Sequence, residues 1–279
     1  MVDPLTSIEA LPLALPEKLR LLREAAGLGS GQSRLARWAA EHPEIARGRD
    51  WCQRAWWGVE AGRLVRRALD DPRQRPAALE LVEAADVAAL DQARQGGRGV
   101  IMLTAHLGPP KFLMHWLLDR SLPLQVWTNA VDLPAWLPAE RPGVFLDPRR
   151  PEVRGVRLVQ AAVHLRRGGV LLAAADRGTG DRPLKIERLG RTWGFSLGLP
   201  ALARRLEVPV VASLALWHGC RVRVRCGPLE PPDPGLPDDA WSRAWLDRYW
   251  QVIEPVVLDS PENLRFLRRV ANPPEEGPA

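Results

Sequence analysis

One stretch constrains this chain more than any other. Gly99-Val100-Ile101-Met102-Leu103-Thr104-Ala105 is a continuous apolar run, closed at once by His106-Leu107-Gly108-Pro109-Pro110. Apolarity without alternation suits a strand buried on both faces, the habit of parallel sheets covered by helices. Parallel strands need crossover connections, so the run commits the chain to an α/β fold. Residues 170–175 repeat the pattern after Gly168-Gly169, and 124–128, 144–146 and 208–217 read as further strands. Residues 220–226 alternate strictly between apolar side chains and arginine, which predicts a half-exposed strand and a hairpin turning at His218-Gly219. Helices are expected between these strands, over 111–118, 153–167, 199–206 and 241–257. Proline in the first turn favours the first of them.

Ahead of residue 96 the pattern is mainly helical, over 17–26, 33–41 and 50–69. A short strand at 79–83 and a helix at 86–95 follow, with Gly96-Gly97 as the stop signal. The expected architecture is therefore a mixed, largely parallel sheet flanked by helices, with an N-terminal helical segment. Residues 1–95 form that segment, packed on an α/β core of 96–270, and 271–279 form a disordered tail.

The 279 residues are 46% hydrophobic and 26% charged, as a folded chain requires. Lys and Arg number 39 against 33 Asp and Glu, a net charge of +6 that favours acidic or phosphorylated partners. Lysine occurs only at Lys18, Lys111 and Lys185, so arginine carries nearly all the positive charge. Cys52, Cys220 and Cys226 lack both a disulfide framework and metal-ligand spacing, so no metal is expected. The longest apolar stretches are too short to span a bilayer, and 1–16 lacks a signal-peptide pattern. A cytoplasmic protein, or one peripheral at the inner face of the membrane, follows. No recognition-helix motif accompanies the basic charge, which argues against nucleic acid.

His106 is the first candidate for chemistry. Ligands of α/β sheets sit beyond the carboxyl ends of strands, and a neutral imidazole there can take a proton from a hydroxyl. Asp176 and Arg177 close the run 170–175, at the same edge of the sheet. Arg177 and Arg191, and Arg149 with Arg150 ahead of the helix start at Pro151, are candidate substrate contacts. Trp116, Trp193 and Phe195 are candidates for lining an apolar pocket.

The block 99–108 resembles the catalytic-histidine block of the lysophospholipid acyltransferase superfamily, nearest its lipid A biosynthesis (lauroyl/myristoyl) branch. That block is a glycine entry, a buried strand and His-Leu-Gly. Leu165-Arg166-Arg167-Gly168-Gly169-Val170 with Ala175-Asp176-Arg177-Gly178 resembles the family's Gly-Gly strand. Leu189-Gly190-Arg191 and the segment Ser260-Pro261-Glu262-Asn263-Leu264 with Arg268-Arg269 resemble later blocks in the same order. The resemblance spans 35–270. It implies a glycerolipid acyltransferase-like fold and transfer of an acyl group from a thioester to a hydroxyl or amine, with His106 as the base and the pocket of Trp116, Trp193 and Phe195 as one for the acyl chain.

Two departures stand out. The branch's membrane-anchoring apolar helix has no counterpart, and Lys111 occupies the position of the acid that partners the histidine, giving His-x4-Lys. Lysine cannot accept a hydrogen bond from imidazole. A helix start bearing Lys111 instead suits an anion. Asp176 is left either to position the acceptor, to replace the missing carboxylate, or to cap its own turn. The resemblance implies no bound cofactor, with acyl carrier protein or acyl-coenzyme A as co-substrate and a lipid or small-molecule acceptor. A catalytically degraded relative that binds acyl carrier or lipid as a scaffold is the competing expectation.

Overall fold

The computed structural model describes residues 4–26, 32–128, 133–147, 151–176 and 184–271. Seven strands form one sheet in the order β1-β9-β8-β2-β5-β3-β4. They are β1 (Val82–Asp86), β2 (Val100–Thr104), β3 (Leu124–Trp127), β4 (Phe145–Leu146), β5 (Val170–Ala174), β8 (Val210–His218) and β9 (Arg221–Pro228). The pairs β4–β3, β3–β5, β5–β2 and β2–β8 are parallel. β8–β9 is the expected antiparallel hairpin, and β1 joins β9 in parallel at the far edge. The fold is thus α/β, with a mixed, mostly parallel sheet flanked by helices and a helical N-terminal segment.

Residue chemistry explains this order. β2 and β5 are buried along their lengths, apart from the half-buried residues Thr104 and Ala174 at their carboxyl ends. β9 alternates, with Val222, Val224 and Cys226 inward and Arg221 and Arg225 outward, as a period of two demands. β8 is buried up to its last residue. Burying one leucine or valine side chain contributes about 1.5–3 kcal/mol, so the central strands anchor the molecule.

The long helix α4 (Trp51–Asp70) belongs to the N-terminal segment and is the most deeply packed helix before the sheet. Trp51, Trp56, Trp57, Leu64, Val65 and Leu69 are all buried. The Trp57 ring meets Trp217 of β8 at 5.0 Å between centroids, and its indole N–H donates to the Leu19 carbonyl at 3.2 Å. Shorter helices α1 (Pro4–Ala10), α2 (Leu15–Glu24) and α3 (Gln32–Glu41) precede it. At the other end of the chain run α11 (Asp238–Asp259), a 3-10 turn (Pro261–Asn263) and α12 (Leu267–Ala271). The 3-10 turn lies so close to α4 that a Cβ at Gly58 would fall 2.0 Å from the Glu262 carbonyl oxygen.

Three local expectations shift. The strand expected at 79–83 is preceded by a helical turn, α5 (Arg75–Leu79), and moves to Val82–Asp86, ahead of α6 (Ala88–Gln95). The helix expected from 111 is α7 (Phe112–Leu118), which leaves Lys111 just outside it. A two-stranded hairpin of β6 (Leu184–Arg188) and β7 (Arg191–Phe195) was not anticipated. Leu189 and Gly190 both have positive φ at its tip, the geometry of a two-residue hairpin turn. The remaining helices are α8 (Trp136–Glu140), α9 (Pro151–Arg166) and α10 (Gly198–Leu206). Of the tail expected over 271–279, Ala271 is instead the buried last residue of α12, and the rest lies outside the described residues.

Candidate active site

The register of β2 with β5 builds the site. Thr104 pairs with Ala174, so the chains leave the sheet side by side. Two residues further along each stand His106 and Asp176. Asp176 Oδ1 lies 2.7 Å from His106 Nδ1, and the His106 backbone N–H donates to Oδ2 at 2.7 Å. A carboxylate only accepts, so Nδ1 carries the proton and Nε2 is left with its lone pair. Burial pushes the Asp176 carboxyl up, but the His106 ring and amide, with Arg265 nearby, hold it below the ordinary carboxylate value. The side chains are 26% exposed at His106 and 9% at Asp176, so the imidazole reaches solvent more openly than its partner.

The turn after His106 is held from the far end of the chain. Leu107 forms an antiparallel bridge with Leu264, and the Gly108 amide donates to the Asn263 carbonyl at 2.8 Å. Asn263 is itself buried, and its Oδ1 accepts from the Trp217 amide at 2.7 Å. Gly108 has φ +64, and a Cβ there would lie 1.9 Å from the Ala215 carbonyl oxygen.

Lys111 sits immediately before α7 with φ 61, in the left-handed region. Its ammonium is 3.2 Å from Asp70 Oδ1 at the end of α4, and the side chain is 13% exposed. Arg66 also approaches Asp70, at 3.5 Å. Lys111 therefore pairs with a carboxylate of the N-terminal segment, which it shares with Arg66.

His106 and Asp176 open on a cleft of about 1730 Å³, larger than the roughly 300–1000 Å³ that suffices for one small ligand. Its apolar wall includes Leu113, Val126, Leu158, Leu172 and Leu199. Seven arginines and Lys111 line it against three carboxylates, Asp70, Asp176 and Glu262.

Of the residues expected at a site, the structure brings His106, Asp176, Lys111, Arg191 and Trp193 to this one cleft. The Arg191 guanidinium lies 5.0 Å from the Trp193 ring centre and 4.2 Å from that of Phe266, and burial pushes it below its ordinary value. Trp116 and Phe195 are core residues instead. Trp116 is buried under the Arg120 guanidinium at 4.1 Å, and Phe195 packs edge-on to Tyr249. Arg149, Arg150 and Arg177 lie outside the described residues. Sequence reasoning missed Arg63, Arg66 and Arg265 as cleft residues. The spacing Arg63-Arg66-Arg67 on one helix face was a usable signal for the first two.

No group of His, Cys, Asp and Glu fit to hold a metal occurs among the described residues, and no described helix is long and apolar enough to cross a membrane. No protein-family model and no curated protein matches the chain.

Proposed function

We propose that this protein is an acyltransferase that moves an acyl group from an acyl-carrier-protein or acyl-coenzyme A thioester to a hydroxyl or amine of a lipid or biosynthetic intermediate. The single observation that carries the reading is the His106–Asp176 contact. A strand-end imidazole is oriented by a largely buried carboxylate, with Nε2 unencumbered among the described residues at a large, partly apolar cleft.

In this reading Nε2 removes the acceptor's proton as its oxygen or nitrogen attacks the thioester carbonyl. Asp176 stabilises the imidazolium that forms. The tetrahedral intermediate collapses, the carbon–sulfur bond breaks, and the imidazolium returns the proton to the departing thiolate. Arg191, with no hydrogen bond or ion pair among the described residues, is the cation placed to meet an anionic part of the substrate. The apolar wall holds the acyl chain. Asp176 thus takes the role that the family gives to the position of Lys111.

The test is mass spectrometry of the protein incubated with acyl-carrier and acyl-coenzyme A donors and lipid acceptors. Release of free thiol with an acylated product is expected. His106→Ala and Asp176→Asn should each lower kcat by about 10²-fold or more, the scale of losing a general base or its orientation. Turnover at the parental rate in both variants would remove the dyad from the mechanism. Absence of any turnover by the parent would favour the competing scaffold reading, whose support was Lys111.

A further inference from the structure

The charge of the cleft is unevenly compensated. Each of its three carboxylates is already engaged: Asp176 by His106, Glu262 by Arg54 at 2.8 Å, and Asp70 by Lys111 and Arg66. Arg63 is tied to Glu60, a carboxylate buried to 4% exposure on the same helix, at 2.8 Å. Arg268, on α12, comes from the other end of the chain to the same wall, because α12 packs on α4. Burial, together with the like charges of Arg66 and Arg63, pushes the Arg268 guanidinium below its ordinary value, against a smaller pull from Glu60. Among the described residues Arg63 pairs with Glu60 and Arg66 with Asp70, and Arg268 lines the same wall beside them. Guanidinium groups crowded at the wall of a cleft repel one another, and an anion arriving there relieves that repulsion.

We propose that Arg63, Arg66 and Arg268 form a phosphate subsite on the α4–α12 wall of the cleft, taking a phosphate monoester or diphosphate group of a substrate. The proposal rests on the acyl-transfer reading only for the identity of that substrate. The anion site itself follows from the charge arrangement. Guanidinium forks match phosphate oxygens in pairs, and a dianion bound at this wall offsets the mutual repulsion of the three arginines. The phosphate has two possible sources: a phosphorylated acceptor, or the phosphates of coenzyme A.

The experiment measures binding without turnover. Isothermal titration of the full chain with inorganic phosphate, at constant ionic strength, is repeated with Arg66→Gln/Arg268→Gln and with Arg243→Gln, which removes an exposed cation outside the cleft. Arg63 is kept, because its loss would take an ion pair from buried Glu60. The double variant should bind phosphate at least about ten-fold more weakly, as expected when charge-assisted hydrogen bonds are lost. Arg243→Gln should bind as the parent does. Two further arms separate the sources. Coenzyme A against its 3′-dephospho form tests the donor, and lysophosphatidate against monoacylglycerol tests the acceptor. The member carrying the phosphate should bind more tightly in one pair, and the double variant should abolish that preference. No phosphate binding by the parent, or equal binding by parent and double variant, overturns the subsite even if the protein transfers acyl groups. Phosphate binding that fails only in the double variant upholds the subsite even if no acyl transfer is found.

Discussion

His115 shows how much a single buried residue can bias stability. It lies in α7, is fully buried, and neither ring nitrogen has a hydrogen-bond partner. Burial pushes its pKa down from 6.5 to about 4, with Lys111 and Arg75 adding to the shift and Asp70 opposing it. The folded protein therefore holds His115 neutral where the unfolded chain would protonate it. Its contribution to stability is whole above pH 6.5 and is lost as pH falls toward 4, a change on the order of 3 kcal/mol at 1.4 kcal/mol per unit. Chemical denaturation of the parent and of His115→Leu at pH 7, 5.5 and 4 should show a much shallower acid decline in the variant. Parallel declines would assign the acid sensitivity to other groups. At this scale the sequence was partly legible. His106 and Asp176 were visible as strand-end residues, because apolar runs announce where buried strands stop. Their contact was not visible, since it depends on β5 lying next to β2 in matched register. The fate of Lys111 was hidden for the same reason: Asp70, its partner, lies 41 residues earlier on α4.

Among the elements, the turn between β2 and α7 decides whether the imidazole is presented at all. The turn reverses at Gly108, where positive φ and the Ala215 carbonyl leave no room for a Cβ. Gly108→Ala should destabilise the protein by about 2–4 kcal/mol, combining left-handed strain with a backbone clash. It should also release the Gly108–Asn263 hydrogen bond that ties the turn to the 3-10 segment. A thermal melt checks the first effect, and hydrogen exchange at the Gly108-to-Leu113 amides checks the second. A variant with parental melting temperature and parental protection would show that the turn has slack. Strands β2, β5, β8 and β9 were legible because their patterns are either unbroken or strictly alternating. The β6–β7 hairpin was not. Its strands carry charged and polar residues on much of their surface, and Leu189 is an unusual residue for a turn position with positive φ.

On the scale of the whole molecule, the cleft is made by chain closure. α4 brings Arg63 and Arg66 from the first quarter of the sequence, and the 3-10 turn, the turn after it and α12 bring Glu262, Arg265 and Arg268 from the last. The ion pair of Arg54 with Glu262 joins the two across 208 residues, with Arg54 Nε 2.9 Å from Oε2. The spacing Arg63-Arg66-Arg67 marks one basic helix face, but no local pattern announces that Arg265 and Arg268 join it, because each looks like an ordinary solvated cation until the helices pack. The apolar side of the cleft is assembled in the same way, from α7, β3, α9, β5 and α10. Leu158 is informative here. It is half-buried on α9 and faces the cleft, so enlarging it takes volume from the cleft without opening the sheet. If that side holds the acyl chain, Leu158→Trp should shorten the longest chain transferred and lower kcat/KM for long donors by about 10-fold or more. An overfilled apolar site loses roughly 1–3 kcal/mol. Short-chain donors should be used at near-parental rates. Competition between donors of graded chain length, read as the product distribution, checks this. A uniform loss across all lengths would place the chain elsewhere in the cleft.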